Sequence, residues 1–229
     1  MNFDKISEAV QEILGGDNSG HGFDHVMRVR DLALDFAKLE NADAEIVELA
    51  ALLHDVDDYK LFGQEAAETL PNARRILTEN NIDKETSAKV LEIISTMGYG
   101  KSLAGIRPKT LEGMVVSDAD MCDNGAHGIL RPHAFGLTHG QVFFDKTIPP
   151  DDADISPAKY QASKQTHVVQ HYFNKLLLIH TILLTDAGRA EGLQRYQIMV
   201  DFLRELFREE KADDWAEYLE EFIKELEVK

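Results

Sequence analysis

Helical periodicity constrains this 229-residue chain more than any other feature. Apolar residues recur at three- and four-residue intervals, and no alternating Val/Ile-rich run bounded by hairpin turns competes with them. An all-α fold is expected. Helices are predicted at about 3–14, 24–39, 43–56, 64–80, 83–97, 110–122, 160–186, 188–209 and 212–227. Two stretches break the pattern and read as loops: 98–108, with Gly98, Gly100, Gly105 and Pro108, and about 136–156, with Pro149 and Pro150. The first carries Lys101 and Arg107, with Lys109 next and no acid, as a phosphate-facing loop would. In the last helix Trp215, Leu219, Phe222, Ile223 and Leu226 form one apolar stripe. No fixed-period repeat or Pro/Gly/Ser-rich linker appears, so a single helical domain over 1–229 is expected.

Charge and cysteine usage narrow the function classes. With 41 acidic against 24 basic side chains the formal charge is −17, which repels phosphate backbones and anionic membrane surfaces. Nucleic-acid coating and membrane adsorption are not expected. The most apolar window, 176–184, is interrupted by His180 and Thr181 and falls far short of the roughly 20 residues of a bilayer span. The first residues, Met1 to Glu8, lack the pattern of a secretory signal. One cysteine, Cys122, permits no internal disulfide, and a reducing cytoplasmic setting is expected.

The chemistry lies where polar groups occupy positions that the helical pattern reserves for apolar ones. His25, Val29, Leu32 and Phe36 follow one helical face, which puts His25 at its inner edge. Ile46, Ala50 and Leu53 line the next helix, and His54 with Asp55 ends that stripe. In a third helix Asp118 shares a face with Leu111, Met114, Val115 and Cys122. A buried carboxylate requires a cationic or hydrogen-bonding partner. Two histidines and two carboxylates from three helices satisfy one another if a divalent cation lies between them. Such N and O donors suit one transition ion, Mn foremost with Fe, Ni, Co or Zn as alternatives, and the absence of thiolates argues against structural zinc.

These residues resemble the HD domain superfamily of metal-dependent phosphohydrolases, whose signature is a His, a His-Asp pair and a distant Asp. Here they are His25 within Gly20-His21-Gly22-Phe23-Asp24-His25-Val26-Met27-Arg28-Val29, then Leu52-Leu53-His54-Asp55, then Asp118 within Val116-Ser117-Asp118-Ala119-Asp120. Within the superfamily the chain is similar to a bacterial subgroup of small HD hydrolases that includes a nucleotide pyrophosphohydrolase. That likeness runs through His54-Asp55-Val56-Asp57-Asp58-Tyr59-Lys60, the run Asp118–Asp123 with Gly125-Ala126, and His171–Leu177. The subgroup's usual Arg-Leu pair is Met121-Cys122 here, and 133–156 matches nothing in it.

The resemblance implies an HD-type helical bundle with additional C-terminal helices packed on it, the metal-site core at about 20–123 and a helical part at about 124–229. It implies metal ligands His25, His54, Asp55 and Asp118. Two-metal HD enzymes carry further histidines between the second and last motifs, and this chain has none between Asp55 and Asp118, so one ion is expected. The activity implied is hydrolysis of a phosphoester or phosphoanhydride in a small phosphorylated metabolite, foremost a nucleotide, by metal-bound water. The alternative is a non-catalytic module that keeps its metal and senses a nucleotide.

Around this set, Asp58 falls one turn after Asp55, where it either takes a proton from the attacking water or is an exposed neighbour in an acidic turn. Lys60 either holds a phosphate oxygen or lies on the surface. Arg28, one turn beyond His25, contacts phosphate or pairs with a carboxylate, while His21 and Asp24 orient the ligands or cap the helix. Asp123, His127 and Arg131, and likewise His167, His171 and Lys175, recur at four-residue spacing and offer substrate contacts, Arg131, His171 and Lys175 foremost. His180 reads as a core histidine and Cys122 as a small core residue. No P-loop, dinucleotide Gly motif, Gly-x-Ser-x-Gly elbow or His-Glu-x-x-His is present.

Overall fold

The structure is a computed structural model that describes residues 1–17, 20–150 and 167–227. By internal contacts the chain divides into two compact units, 1–123 with 182–191, and 124–181 with 192–229. The described residues form helices, with a single isolated bridge between Val142 and His167. The chain is all-α, as its periodicity predicts.

In the first unit α1 (Phe3–Leu14) is capped by Asn2, whose side chain accepts from Lys5 N, and it buries Ile6, Val10 and Leu14. Next comes α2 (Phe23–Glu40), ended by Asn41 in the left-handed conformation at φ 65°. Asp43 then caps α3 (Ala44–Leu53) by accepting from Glu45 N and Ile46 N. A short α4 (Tyr59–Phe62) precedes the run 64–80, which is not one helix but two pieces, α5 (Gln64–Thr69) and α6 (Pro71–Glu79). Pro71 disfavours helical geometry at the residue before it, and Leu70 sits at φ 52°. Buried Asp57 accepts from Asn72 N and Ala73 N and so caps α6 from outside.

Asp83 caps α7 (Lys84–Thr96), and a short α8 (Tyr99–Leu103) lies inside the stretch expected to be loop. There Lys101 Nζ donates to Ser95 O. Thr110 caps α9 (Leu111–Cys122), which is buried on nearly every side. Helices α2, α3 and α9 pack against one another, with α1 and α7 flanking them. This three-helix contact brings the N-terminal turn of α2 and the C-terminal ends of α3 and α9 together.

The second unit opens with α10 (Ala126–Thr138), a helix the periodicity does not predict. Of the segment 160–186, expected as one helix, 160–166 lie outside the described residues. The rest forms α11 (Gln170–Asn174) and a 3₁₀ turn at Leu176–Thr181. Two long helices follow, α12 (Asp186–Glu210), which begins in the first unit, and α13 (Asp213–Glu227). Trp215, fully packed, donates its indole N–H to Ile148 O at 3.1 Å amid Phe144, Phe173 and Phe207. No helix among the described residues is long and apolar enough to cross a membrane.

Candidate metal centre

Four donor atoms from α2, the end of α3 and α9 face one another. His25 Nε2 and His54 Nε2 are 3.3 Å apart, and Asp55 Oδ2 lies 3.5 Å from each. Asp120 Oδ1 is 3.4 Å from His25 Nε2 and 3.8 Å from His54 Nε2. Donors about 2.1 Å from a common ion stand about 3.0–3.4 Å apart when adjacent and about 4.2 Å apart when opposite in an octahedron, so separations of 3.3–3.8 Å lie close to what one shared cation would ask.

The outer partners of the imidazoles support the fit. His54 Nδ1 lies 2.7 Å from Ala51 O, an acceptor only, so Nδ1 carries the proton and Nε2 presents a lone pair to the cluster. His25 Nδ1 lies 2.7 Å from Asp123 Oδ2 and is oriented in the same sense. Two imidazole nitrogens and two carboxylates then converge in a largely buried space, a donor set that could hold a metal ion. Burial acts to raise the Asp55 carboxyl, but the His54 and His25 imidazoles and a hydrogen bond from His21 hold it well below the ordinary carboxylate range. Asp120 is lowered as well: burial opposes this, and with no ion bound the hydrogen bond from a protonated His25 and the imidazolium charges of His54 and His25 prevail, so positive charge reaches the cluster from its own imidazoles.

Asp118, the carboxylate that the sequence assigns to the fourth ligand position, is directed elsewhere. It is fully buried, and its oxygens accept from Leu184 N (3.0 and 2.9 Å), Thr185 N (2.7 Å) and the Thr185 hydroxyl (2.7 Å). It therefore fastens the turn ahead of α12 to α9 within the first unit. Residues two apart on a helix differ by about 200° in direction, so one of the pair Asp118/Asp120 can face the histidines and the other cannot. The residue that does so is Asp120. Burial pushes the Asp118 carboxyl up against the N–H groups of Thr185 and Leu184.

Other candidates fall into distinct settings. Asp58 caps α4 with its side chain on Lys60 N at 2.8 Å and is partly exposed. Exposed Lys60 donates from Nζ to His21 Nε2 at 3.0 Å, and His21 Nδ1 donates to Asp55 Oδ2 at 3.1 Å. Arg28, proposed by sequence for phosphate or a carboxylate, takes the second course: Nε and NH2 meet Asp123, each at 3.0 Å, and NH1 meets Asp24 at 2.6 Å. Arg131 on α10, His171 on α11 and Lys175 just after it belong to the second unit and are half-buried. His180 is half-buried against Tyr196, with Nδ1 on Leu177 O at 2.9 Å. Sequence reasoning missed Asp120, and it saw Asp123 as a pocket residue instead of a partner of His25.

Comparison with known proteins identifies the family. The HD domain model matches residues 22–125. YpgQ of Bacillus subtilis is 31% identical over 213 residues, covering 89% of this chain and 91% of YpgQ. A crystal structure from Lactobacillus plantarum, 30% identical, superposes with a TM-score of 0.77 over 92% of this chain and 97% of that one. An HD-superfamily hydrolase from Bacillus thuringiensis, 31% identical, gives 0.70 over 92% and 97%. YpgQ has been crystallised in complex with ADP, and that structure, 30% identical, gives 0.68 over 90% and 94%. With its helical bundle, its match to the HD domain model, and its likeness over nearly its whole length to these proteins, one of them an HD-superfamily hydrolase, the chain belongs to the HD domain superfamily.

Proposed function

We propose that this chain is a mononuclear metal-dependent phosphohydrolase acting on a phosphoester or phosphoanhydride of a small phosphorylated metabolite, foremost a nucleotide. The observation that carries the proposal is the convergence of His25 Nε2, His54 Nε2, Asp55 Oδ2 and Asp120 Oδ1 with both imidazole lone pairs turned inward. These four atoms would hold the ion, with Mn foremost and Fe, Ni, Co or Zn as alternatives. Bound there, a divalent cation supplies Lewis acidity, polarising a phosphoryl oxygen and lowering the pKa of a water.

The chain's own residues supply the rest. Asp58, on the turn that carries Asp55, is the proposed acceptor of the water's proton. Its Oδ1 is fixed by Lys60 N, which orients the carboxylate. The Lys60 ammonium, held over His21, is placed to neutralise a non-bridging phosphate oxygen. A nucleotide as substrate is supported by the ADP complex of YpgQ.

The test is hydrolysis by chelator-stripped protein, resupplied with single divalent ions, across nucleoside mono-, di- and triphosphates with products identified. Ion-dependent release of phosphate or pyrophosphate is expected. Nucleotide binding without turnover under every ion would make the chain a sensing module. Failure of the wild-type protein to bind any divalent ion would overturn the metal centre itself.

A further inference from the structure

Arg28 follows His25 by three residues and Asp24 by four, so all three occupy neighbouring positions on the first turns of α2. Asp123 enters from the residue immediately after α9. His25 is fully buried and Asp123 is 3% exposed, and together they make the short contact of 2.7 Å between Nδ1 and Oδ2. Arg28 then places two nitrogens on Asp123, Nε on Oδ1 and NH2 on Oδ2, both at 3.0 Å, as a planar fork on a carboxylate. Its remaining nitrogen NH1 bonds Asp24.

We infer that Asp123 and Arg28 are positioning residues for the metal centre: the Arg28 fork holds the Asp123 carboxylate in place, and Asp123 engages His25 Nδ1 so that Nε2 is turned toward the ion. An ionised carboxylate only accepts, so the shared proton belongs to His25 Nδ1. A carboxylate this buried is costly without a cation, and the guanidinium supplies the charge together with two directed donors. Lysine would supply the charge without the fork. All three guanidinium nitrogens are engaged with carboxylates, so Arg28 acts on His25 through Asp123 and not on the phosphate of a substrate. Outer partners of this kind set metal affinity within about 10–100-fold.

The inference rests on the proposed metal centre, and the experiment separates the two. In metal-free, full-length protein labelled with ¹⁵N in its histidines, His25 should show a protonated Nδ1. Asp123→Ala should shift the proton toward Nε2. In parallel, Mn²⁺ titration should show affinity lowered about 10–100-fold in Asp123→Ala and several-fold in Arg28→Lys, with KM for nucleotide at saturating Mn²⁺ unchanged in Arg28→Lys. Should Asp123→Ala fail to fold, the near-isosteric Asp123→Asn takes its place, and Arg28→Lys stands as the independent variant. Unchanged Mn²⁺ affinity with an unchanged His25 signature would overturn the assignment, as would a raised KM in Arg28→Lys at wild-type Mn²⁺ affinity. Wild-type protein that binds no Mn²⁺ or other divalent ion would instead refute the metal centre, while the His25 signature would still decide the role of Asp123.

Discussion

Lys60 Nζ stands 3.0 Å from His21 Nε2, and the opposite nitrogen of the same ring reaches Asp55 Oδ2 at 3.1 Å. The ammonium can only donate, so it fixes the tautomer in which His21 Nδ1–H bonds Asp55. A lysine expected to serve the substrate is thereby also tied to Asp55, one of the proposed metal ligands. If its main task is to neutralise phosphate in ground and transition states alike, Lys60→Ala raises KM by roughly tenfold and leaves kcat within a few-fold. Steady-state kinetics at saturating metal check this. A large fall in kcat at constant KM would place Lys60 in the chemical step.

The two aspartates of α9 should separate cleanly by experiment. Asp120→Ala combined with His54→Ala should abolish stoichiometric metal binding, since it removes two of four converging donors. Asp118→Asn should retain the ion. It should instead lose stability by about 1–3 kcal/mol, because its amide cannot accept all the donors from Leu184 and Thr185. Elemental analysis and denaturant unfolding decide. Metal lost from Asp118→Asn with unchanged stability would reverse the assignment.

Gly188, in the first turn of α12, offers an independent probe of the same junction. A Cβ there would lie 2.3 Å from Asp118 Oδ2 and 2.8 Å from its Cβ and Cγ, all within the packed first unit. Gly188→Ala should therefore destabilise by about 1–3 kcal/mol despite alanine's better helix propensity. A rise in Tm for this variant would show that the junction is looser than its geometry.

Much of this arrangement is legible in the sequence, and the remainder is obscured for physical reasons. Caps at Asn2, Asp43, Asp83 and Thr110 announce their helices, and the predicted bounds fall within three residues. Helix α10 is hidden because Gly128, Gly136 and Pro132 dilute its apolar pattern. The glycines serve close packing, and a Cβ on Gly136 would meet Val168 Cγ2 at 2.4 Å. His25, His54 and Asp55 are readable as polar groups at the ends of apolar stripes. Asp120 is not, because α9 is enclosed on almost every side and periodicity cannot say which carboxylate faces the histidines. That choice depends on Leu184 and Thr185, which return to α9 some 66 residues later in the chain.

Acid sensitivity of the fold should include a contribution from His180. Burial lowers its pKa below the ordinary 6.5, against a raising effect from its bond to Leu177. The unfolded chain therefore takes up this proton at a higher pH than the folded one. Stability present above the unfolded pKa is lost as pH falls from about 6.5 toward the folded value. His180→Phe should flatten the stability–pH curve across that interval, as measured by urea unfolding between pH 5 and 8. An unaltered slope would remove His180 from the acid response.

Asp58 provides the sharpest separation of chemistry from binding. Its Oδ1 accepts from Lys60 N, a cap that asparagine can reproduce, so Asp58→Asn should keep α4 and the local backbone intact. What the substitution removes is a basic carboxylate. If Asp58 takes the proton of the attacking water, kcat falls roughly 10²–10⁴-fold while metal content and KM stay near wild type. If it is only the cap of α4, all three persist. Asp58→Asn protein with full metal and wild-type kcat would leave the cap as the residue's whole role and send the search for the base elsewhere among the groups around Asp55.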